Sequence, residues 1–345
     1  MNKKAKLALA WIGFAGIFIT SEAIAQEQVY LPLNSARLRA LSLGGAANGL
    51  QDDLGALQTN PAAYSLYREN KDFRVTFFLS PLAPMIIAKR PMRFFEKSVS
   101  GFREHFTEFL ALFKGVNITL RGFDFAVSLF EPAFIDSMFF NETDKLHLDS
   151  VYKSHFNTFA VRFRLAQEVS IGASLHVNYS SDESGVRKSG IGASYGVLLK
   201  PANSLNVGVS LFIAPEETPE YRMQLEGLGN ESLNIGAAWF ARKHLRFLFG
   251  LQNIAVSQDS LRETVHAGVE KLFFSQVALR GGIRYQPEEN AISYSAGVGL
   301  LNLNRFWNPG NKFVHENFFL NYAVLRKELT GKTFYIHGFH VQLRF

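Results

Sequence analysis

The chain has 345 residues and no cysteine, so disulfides, thiolate metal sites, thiol nucleophiles and a lipid-modified cysteine are all excluded. Beyond its first segment it also lacks any apolar run of about 20 residues, which excludes a bundle of membrane-spanning helices. Charge of one sign is scarce. The formal net charge is +6, and +4 once three lysines and Glu22 of the first segment are removed, too slight a balance to argue for nucleic acid. Catalytic constellations are thin. Asp52 and Asp53 are adjacent rather than placed across a substrate. His337 and His340, three apart on a presumed strand, should face opposite sides, which argues against a shared metal. No serine sits in a nucleophile-elbow context, and Gly190, Gly192 and Gly196 lack the spacing and following helix of a phosphate loop. The reading is therefore of a protein that is not an enzyme and uses no cofactor or metal.

What the chain has in abundance is aromatic and alternating. Hydrophobic residues make up 47% and aromatics 14%, with 33 Phe, yet mean hydropathy is only +0.02, so apolar residues are interleaved with polar ones. From Val169, the residues Ile171, Ala173, Leu175, Val177 and Tyr179 take one face while Ser170, Gly172, Ser174, His176 and Asn178 take the other. The device recurs along the chain to the last strand, where Phe339, Val341, Leu343 and Phe345 oppose His340, Gln342 and Arg344. A lipid-facing exterior with a polar lumen has this pattern, so the fold expected is all-β, a transmembrane antiparallel barrel of about 14 strands. The predicted spans are 73–80, 84–90, 117–130, 155–164, 168–180, 187–200, 204–214, 232–242, 244–254, 263–272, 276–286, 291–301, 316–326 and 333–345. Short links at 165–167, 201–203, 242–243 and 273–275 alternate with longer polar ones at 181–187, 215–232 and 252–262. An even strand number then predicts both chain ends on the periplasmic side. The C-terminal set Phe339, Val341, Leu343 and Phe345 reads as the assembly signal for barrel-insertion machinery. His176, His266 and His340 all fall on the small or polar face and read as lumen lining.

Two segments depart from this period. Residues 1–25 read as a cleaved signal peptide: Lys3, Lys4 and Lys6, an apolar run from Leu7 to Ile19, then Ala23-Ile24-Ala25. Around 92–114, Phe95, Val99, Phe102, Phe106, Phe109 and Phe113 recur at three and four, which predicts an amphipathic helical insert on the periplasmic side or folded into the lumen. The chain thus divides into the signal, an N-terminal hatch or plug over 26–72, and the barrel over 73–345.

The most specific local signal lies in that hatch. Ser35-Ala36-Arg37 leads through Ala40 to Ala47, with Gly44 and Gly45, to Gly49-Leu50-Gln51-Asp52-Asp53 and then Asn60-Pro61-Ala62-Ala63. Glycines permit close backbone approach, Asp52 or Asp53 suits the cap of a short turn from Leu54, and Asn60-Pro61 suits a turn that feeds a strand. These roughly 30 residues resemble the N-terminal region of the fatty-acid-transporter (FadL-like) barrel superfamily, and more closely its PorV/PorQ-type branch. Ala63 stands where those relatives place Gly, and Gln58-Thr59 where many place aromatics. The resemblance implies that Gly44, Gly45, Asp52, Asp53, Asn60, Pro61 and Ala62 form a periplasmic hatch.

Two functions follow from the resemblance. The PorV/PorQ-type branch implies an accessory of type IX protein secretion and surface attachment, with secretion components or secreted cargo as partners. The wider superfamily implies a channel for hydrophobic small molecules. Either places the protein in the outer membrane of a Gram-negative bacterium, surrounded by its lipid.

Overall fold

The computed structural model describes residues 28–30, 35–67, 73–81, 113–132, 155–181, 187–215, 231–254, 263–287, 290–304, 316–329 and 332–345. One sheet contains every strand: β1 (Gln28–Tyr30), β2 (Arg74–Leu79), β3 (Phe113–Leu120), β4 (Phe123–Pro132), β5 (His155–Arg164), β6 (Val169–Ser181), β7 (Arg187–Ala202), β8 (Leu205–Ile213), β9 (Glu231–Arg242), β10 (Leu245–Gln252), β11 (Thr264–Phe273), β12 (Val277–Gln286), β13 (Ala291–Asn302), β14 (Phe318–Leu329), β15 (Lys332–Val341) and β16 (Leu343–Arg344). Strands β2 to β15 pair antiparallel with their sequence neighbours throughout. β15 and β16 are one strand interrupted at Gln342, and β16 pairs with β2, which closes the ring at 14 wall strands. A closed ring leaves no sheet edge to satisfy in hydrocarbon.

The two faces of the wall are sorted opposite to those of a water-soluble protein. Ile191 and Tyr195 on β7 are 63% and 52% exposed, whereas His176 on β6 and Glu270 on β11 are 2% and 1%. Phe77, Phe159, Phe163, Trp239, Phe249 and Ile283 also point outward. An exposed apolar surface this extensive requires lipid as its solvent.

Three expectations need correction. The predicted strand 117–130 is a hairpin, β3 and β4, turning at Arg121-Gly122 with Leu120 opposite Phe123. Gly122 takes φ +77°, a left-handed conformation that costs glycine nothing, and the alternation runs on through the turn, which hid it. The predicted strand 84–90 lies outside the described residues, so the count of 14 is reached with a different second strand. In consequence the connection from β2 to β3 leaves and re-enters at the end bearing the long connections, not at the short-turn end. Of the predicted helical insert, Phe95, Val99, Phe102, Phe106 and Phe109 lie outside the described residues, and Phe113 opens β3. Finally, the first described strand and the C-terminus do not share one side. β1 pairs parallel with β15 through Gln28↔Phe334 to Tyr30↔Ile336, toward the long-connection end, while Phe345 lies at the short-turn end.

Candidate functional site: a plug seated on a glycine belt

Residues 35–67 lie inside the barrel. They comprise α1 (Leu38–Ser42) and two 3-10 turns, Leu54–Gln58 and Pro61–Ala63. α1 packs against β12 to β15, and the 3-10 turns against β4 to β8, so the segment crosses the lumen from wall to wall.

What lets a backbone approach a barrel wall this closely is the absence of side chains on the wall. A Cβ at Gly172, Gly196, Gly208, Gly236, Gly268 or Gly282 would stand closer than 3.0 Å to atoms of the plug. The plug side reciprocates, with Gly44 (φ +68°) against the Ile283 backbone and Gly49 against Gly236. These wall glycines are directly opposite in register in pairs: Gly208↔Gly236, Gly268↔Gly282 and Gly172↔Gly196. They form a belt around the inner wall from β6 to β12.

Two buried glutamates on distant walls hold the plug. Glu270 of β11 accepts from Arg39 Nε and Nη2 at 2.9 and 2.7 Å, from Arg246 at 2.5 Å and from Arg280 at 2.9 Å. Arg39 reaches on to Asp52 at 3.0 Å. Burial alone would lower the Arg39 guanidinium, but the carboxylates of Glu270 and Asp52 reverse that and raise it, so it stays charged. Glu131 of β4 accepts from Ser35 Oγ at 2.5 Å and from the Ala36 amide at 3.0 Å, and pairs with Lys114 at 2.6 Å. A charge so enclosed persists only because every partner is present. None of Arg39, Glu131 or Glu270 carried a signal in the sequence beyond its placement in a hatch or on a polar face.

The remaining hatch residues are structural. Asn60 is fully buried; its Oδ1 caps the second 3-10 turn by accepting from the Ala62 amide at 3.1 Å. Its Nδ2 donates to the carbonyls of Asn48 at 2.9 Å and Val197 at 3.2 Å. Pro61 stands at the first position of that turn and needs no amide. The Ala62 carbonyl accepts from Ser170 Oγ at 2.8 Å. Asp52 bonds through its backbone to Ala63 and Ser65, tying the two halves of the plug together. Asp53 occupies the cap position before Leu54, yet its side chain makes no cap bond and instead accepts from Gln342 Nε2 at 3.0 Å. That corrects the expected capping role: the terminal strand outcompetes the local amides. Burial, and next the neighbouring Asp52 carboxylate, raise the Asp53 carboxyl above its usual range.

The histidines divide as their parity predicted. His176, His266 and His340 are buried inside, and His337 faces the other way, its Nδ1 2.7 Å from Tyr322 Oη. His176 does contact Ser194 Oγ at 2.7 Å, but its other nitrogen meets Thr158 at 3.1 Å rather than a carboxylate, and Ser194 is fully buried. The triplet satisfies a buried imidazole. On the terminal strand, Phe339, Val341, Leu343 and Phe345 alternate with the inward Gly338, His340, Gln342 and Arg344.

Two cavities flank α1. The larger, of about 100 Å³, has the plug as its floor (Arg37, Ala40, Leu41, Gln58) and Phe212, Arg284, Leu325 and Ile336 in its walls. The smaller, of about 40 Å³, lies on the other side, against Leu38, Arg39, Asp53, Phe318 and His340. The class these features define is a membrane β-barrel with a lumenal plug. No protein-family model and no curated protein matches the chain. Among solved structures, it is similar to the CymD monoaromatic hydrocarbon channel, 10% identical over 90% of this chain and 95% of that one, with a TM-score of 0.48. It is similar also to the Ralstonia pickettii toluene transporter TbuX, 11% identical over 90% and 96%, TM-score 0.45. A mutant Rh. blastica porin is 11% identical over 67% and 75%, TM-score 0.35.

Proposed function

We propose that the protein is an outer-membrane channel of a Gram-negative bacterium for small hydrophobic molecules, with the hatch as its gate and the short-turn end in the periplasm. The observation that carries this reading is the pair of cavities separated by one short helix. The larger cavity joins an apolar side, Leu41, Phe212, Leu325 and Ile336, to a polar one, Arg37, Gln58 and Arg284. About 100 Å³ approaches the ~150 Å³ of an apolar cavity that holds one benzene ring. A molecule entering from the long-connection end rests there, and α1 must shift for it to reach the smaller cavity beyond.

The secretion-accessory reading rests on the hatch motif alone; a lumen crossed by residues 35–67 offers no passage to a folded protein. Partners beyond lipid and a small hydrophobic molecule therefore stand on that motif. The test is uptake of a labelled single-ring aromatic by whole cells, whose lipopolysaccharide layer makes a channel necessary. Deleting the gene should slow uptake, the wild-type chain should restore it, and Ala40→Phe, which fills the larger cavity, should not. Unchanged uptake on deletion, together with loss of proteins from the cell surface, would replace the channel with the secretion role.

A further inference from the structure

Among the described residues, the ring closes on its shortest pairing. Terminal strand and β2 share two registered pairs, Leu343↔Leu79 and Arg344↔Phe78, and Phe77 exchanges both backbone hydrogen bonds with Phe345. Other neighbouring strands of the wall pair over at least six positions, and β6 with β7 over thirteen. The first and last strands of the wall are far apart in sequence, so bringing them together costs chain entropy and their junction gains from any segment that holds both.

The plug is such a segment, and it touches both sides of the seam through consecutive residues. On the terminal strand, Asp53 accepts from Gln342 Nε2 at 3.0 Å and stands 3.7 Å from Arg344 Nη1. The next residue, Leu54, enters the buried cluster that includes Phe78 of β2 with Leu57, Tyr64, Leu66 and Tyr67. Leu54 also fills the space beside Gly115 of β3. Tyr67 Oη hydrogen bonds to Thr76 of β2, and the Arg74 guanidinium lies 4.6 Å from the Tyr67 ring. Farther along the seam, Leu38 packs on Gly338, and β1 adds its three parallel pairs to β15. Arg344 is held in turn by Asn304 at 3.1 Å.

We propose that the N-terminal segment is the staple of the barrel seam: Asp53 and Leu54 join the last strand to the first, so closure of the wall depends on a seated plug. Gating by α1 and closure of the wall are then separable. Movement of α1 alone leaves the Asp53–Leu54 staple in place, whereas withdrawal of the whole plug frees the seam. This inference does not depend on what the channel carries.

Hydrogen exchange measured by mass spectrometry on the full chain in micelles tests it. Asp53→Ala removes the grip on Gln342 and Arg344, and Gln342→Ala removes it from the other side. Loss of a hydrogen bond to a charged group corresponds to roughly tenfold or more in a local opening equilibrium. Each variant should therefore speed exchange about tenfold in residues 75–79 and 341–345 while β7 to β9 keep the wild-type rate. A chain without cysteine allows a unique lock: Leu79→Cys with Leu343→Cys, at facing positions about 4.5–5.5 Å apart by sheet geometry and within disulfide reach. With the lock oxidised, Asp53→Ala should no longer change seam exchange. An Asp53→Ala chain that folds only with the lock supports the proposal equally. Unaltered seam exchange in both single variants, acceleration that persists under the lock, or equal acceleration in β7 to β9 would each overturn it.

Discussion

The outward and inward faces of the same wall obey different rules. On β11 the outward residues Val265 and Val269 need only be apolar, since lipid conforms to whatever they present. The inward residues of that strand, His266, Gly268 and Glu270, each meet one particular plug atom: His266 Nδ1 the Gly44 carbonyl at 2.5 Å, Gly268 the Leu43 backbone, Glu270 the Arg39 guanidinium. One face is a solvent boundary and the other is a fitted interface. The lesson is that substitutions a single residue apart should differ severalfold in effect.

The largest contrast is expected within β11. Glu270→Ala strips three guanidiniums of their shared carboxylate and should cost about 3–5 kcal/mol in denaturant unfolding, while Val269→Ala on the lipid face should cost about 1 kcal/mol or less. Equal costs would break the distinction between the faces. Next come the belt positions. Gly208→Val or Gly236→Val forces a side chain against Asn48 or Gly49 and should destabilise by about 1–3 kcal/mol, with faster proteolysis of residues 35–67 as the local signature. Asn60→Ala removes the bonds to the Ala62 amide and to the Asn48 and Val197 carbonyls and should cost about 1–3 kcal/mol. The smallest effect belongs to the exterior: Tyr195→Phe keeps the apolar face intact and should shift the unfolding midpoint by under about 0.5 kcal/mol.

The same contrast explains what the sequence made legible. Parity along a strand reports which face meets lipid, so the all-β barrel, most strand bounds and the inward turn of His176, His266 and His340 could be read directly. A turn of two residues between alternating strands leaves parity unbroken, and so β3 and β4 merged in the sequence reading. The motif from Ser35 to Ala63 falls within the segment that lies inside the barrel. What it could not reveal was the wall that receives it, because Gly208, Gly236 and Gly282 on separate strands become a belt only once register is fixed. Most wall strands carry at least one inward glycine, a signal that was visible in the sequence. Glu131 and Glu270 were illegible for a different reason: a lone acidic residue on a polar face gains meaning only from the Arg or Lys that the fold brings to it from afar.

In the proposed channel, residues 35–67 keep the lumen shut through the latch of Arg39 on Glu270. Conductance of the purified full chain in a planar bilayer tests it most directly. The wild-type barrel is expected to be nearly silent and the Glu270→Ala variant to show frequent openings; steady porin-like conductance in the wild type, or a variant as silent as its parent, would contradict the latch.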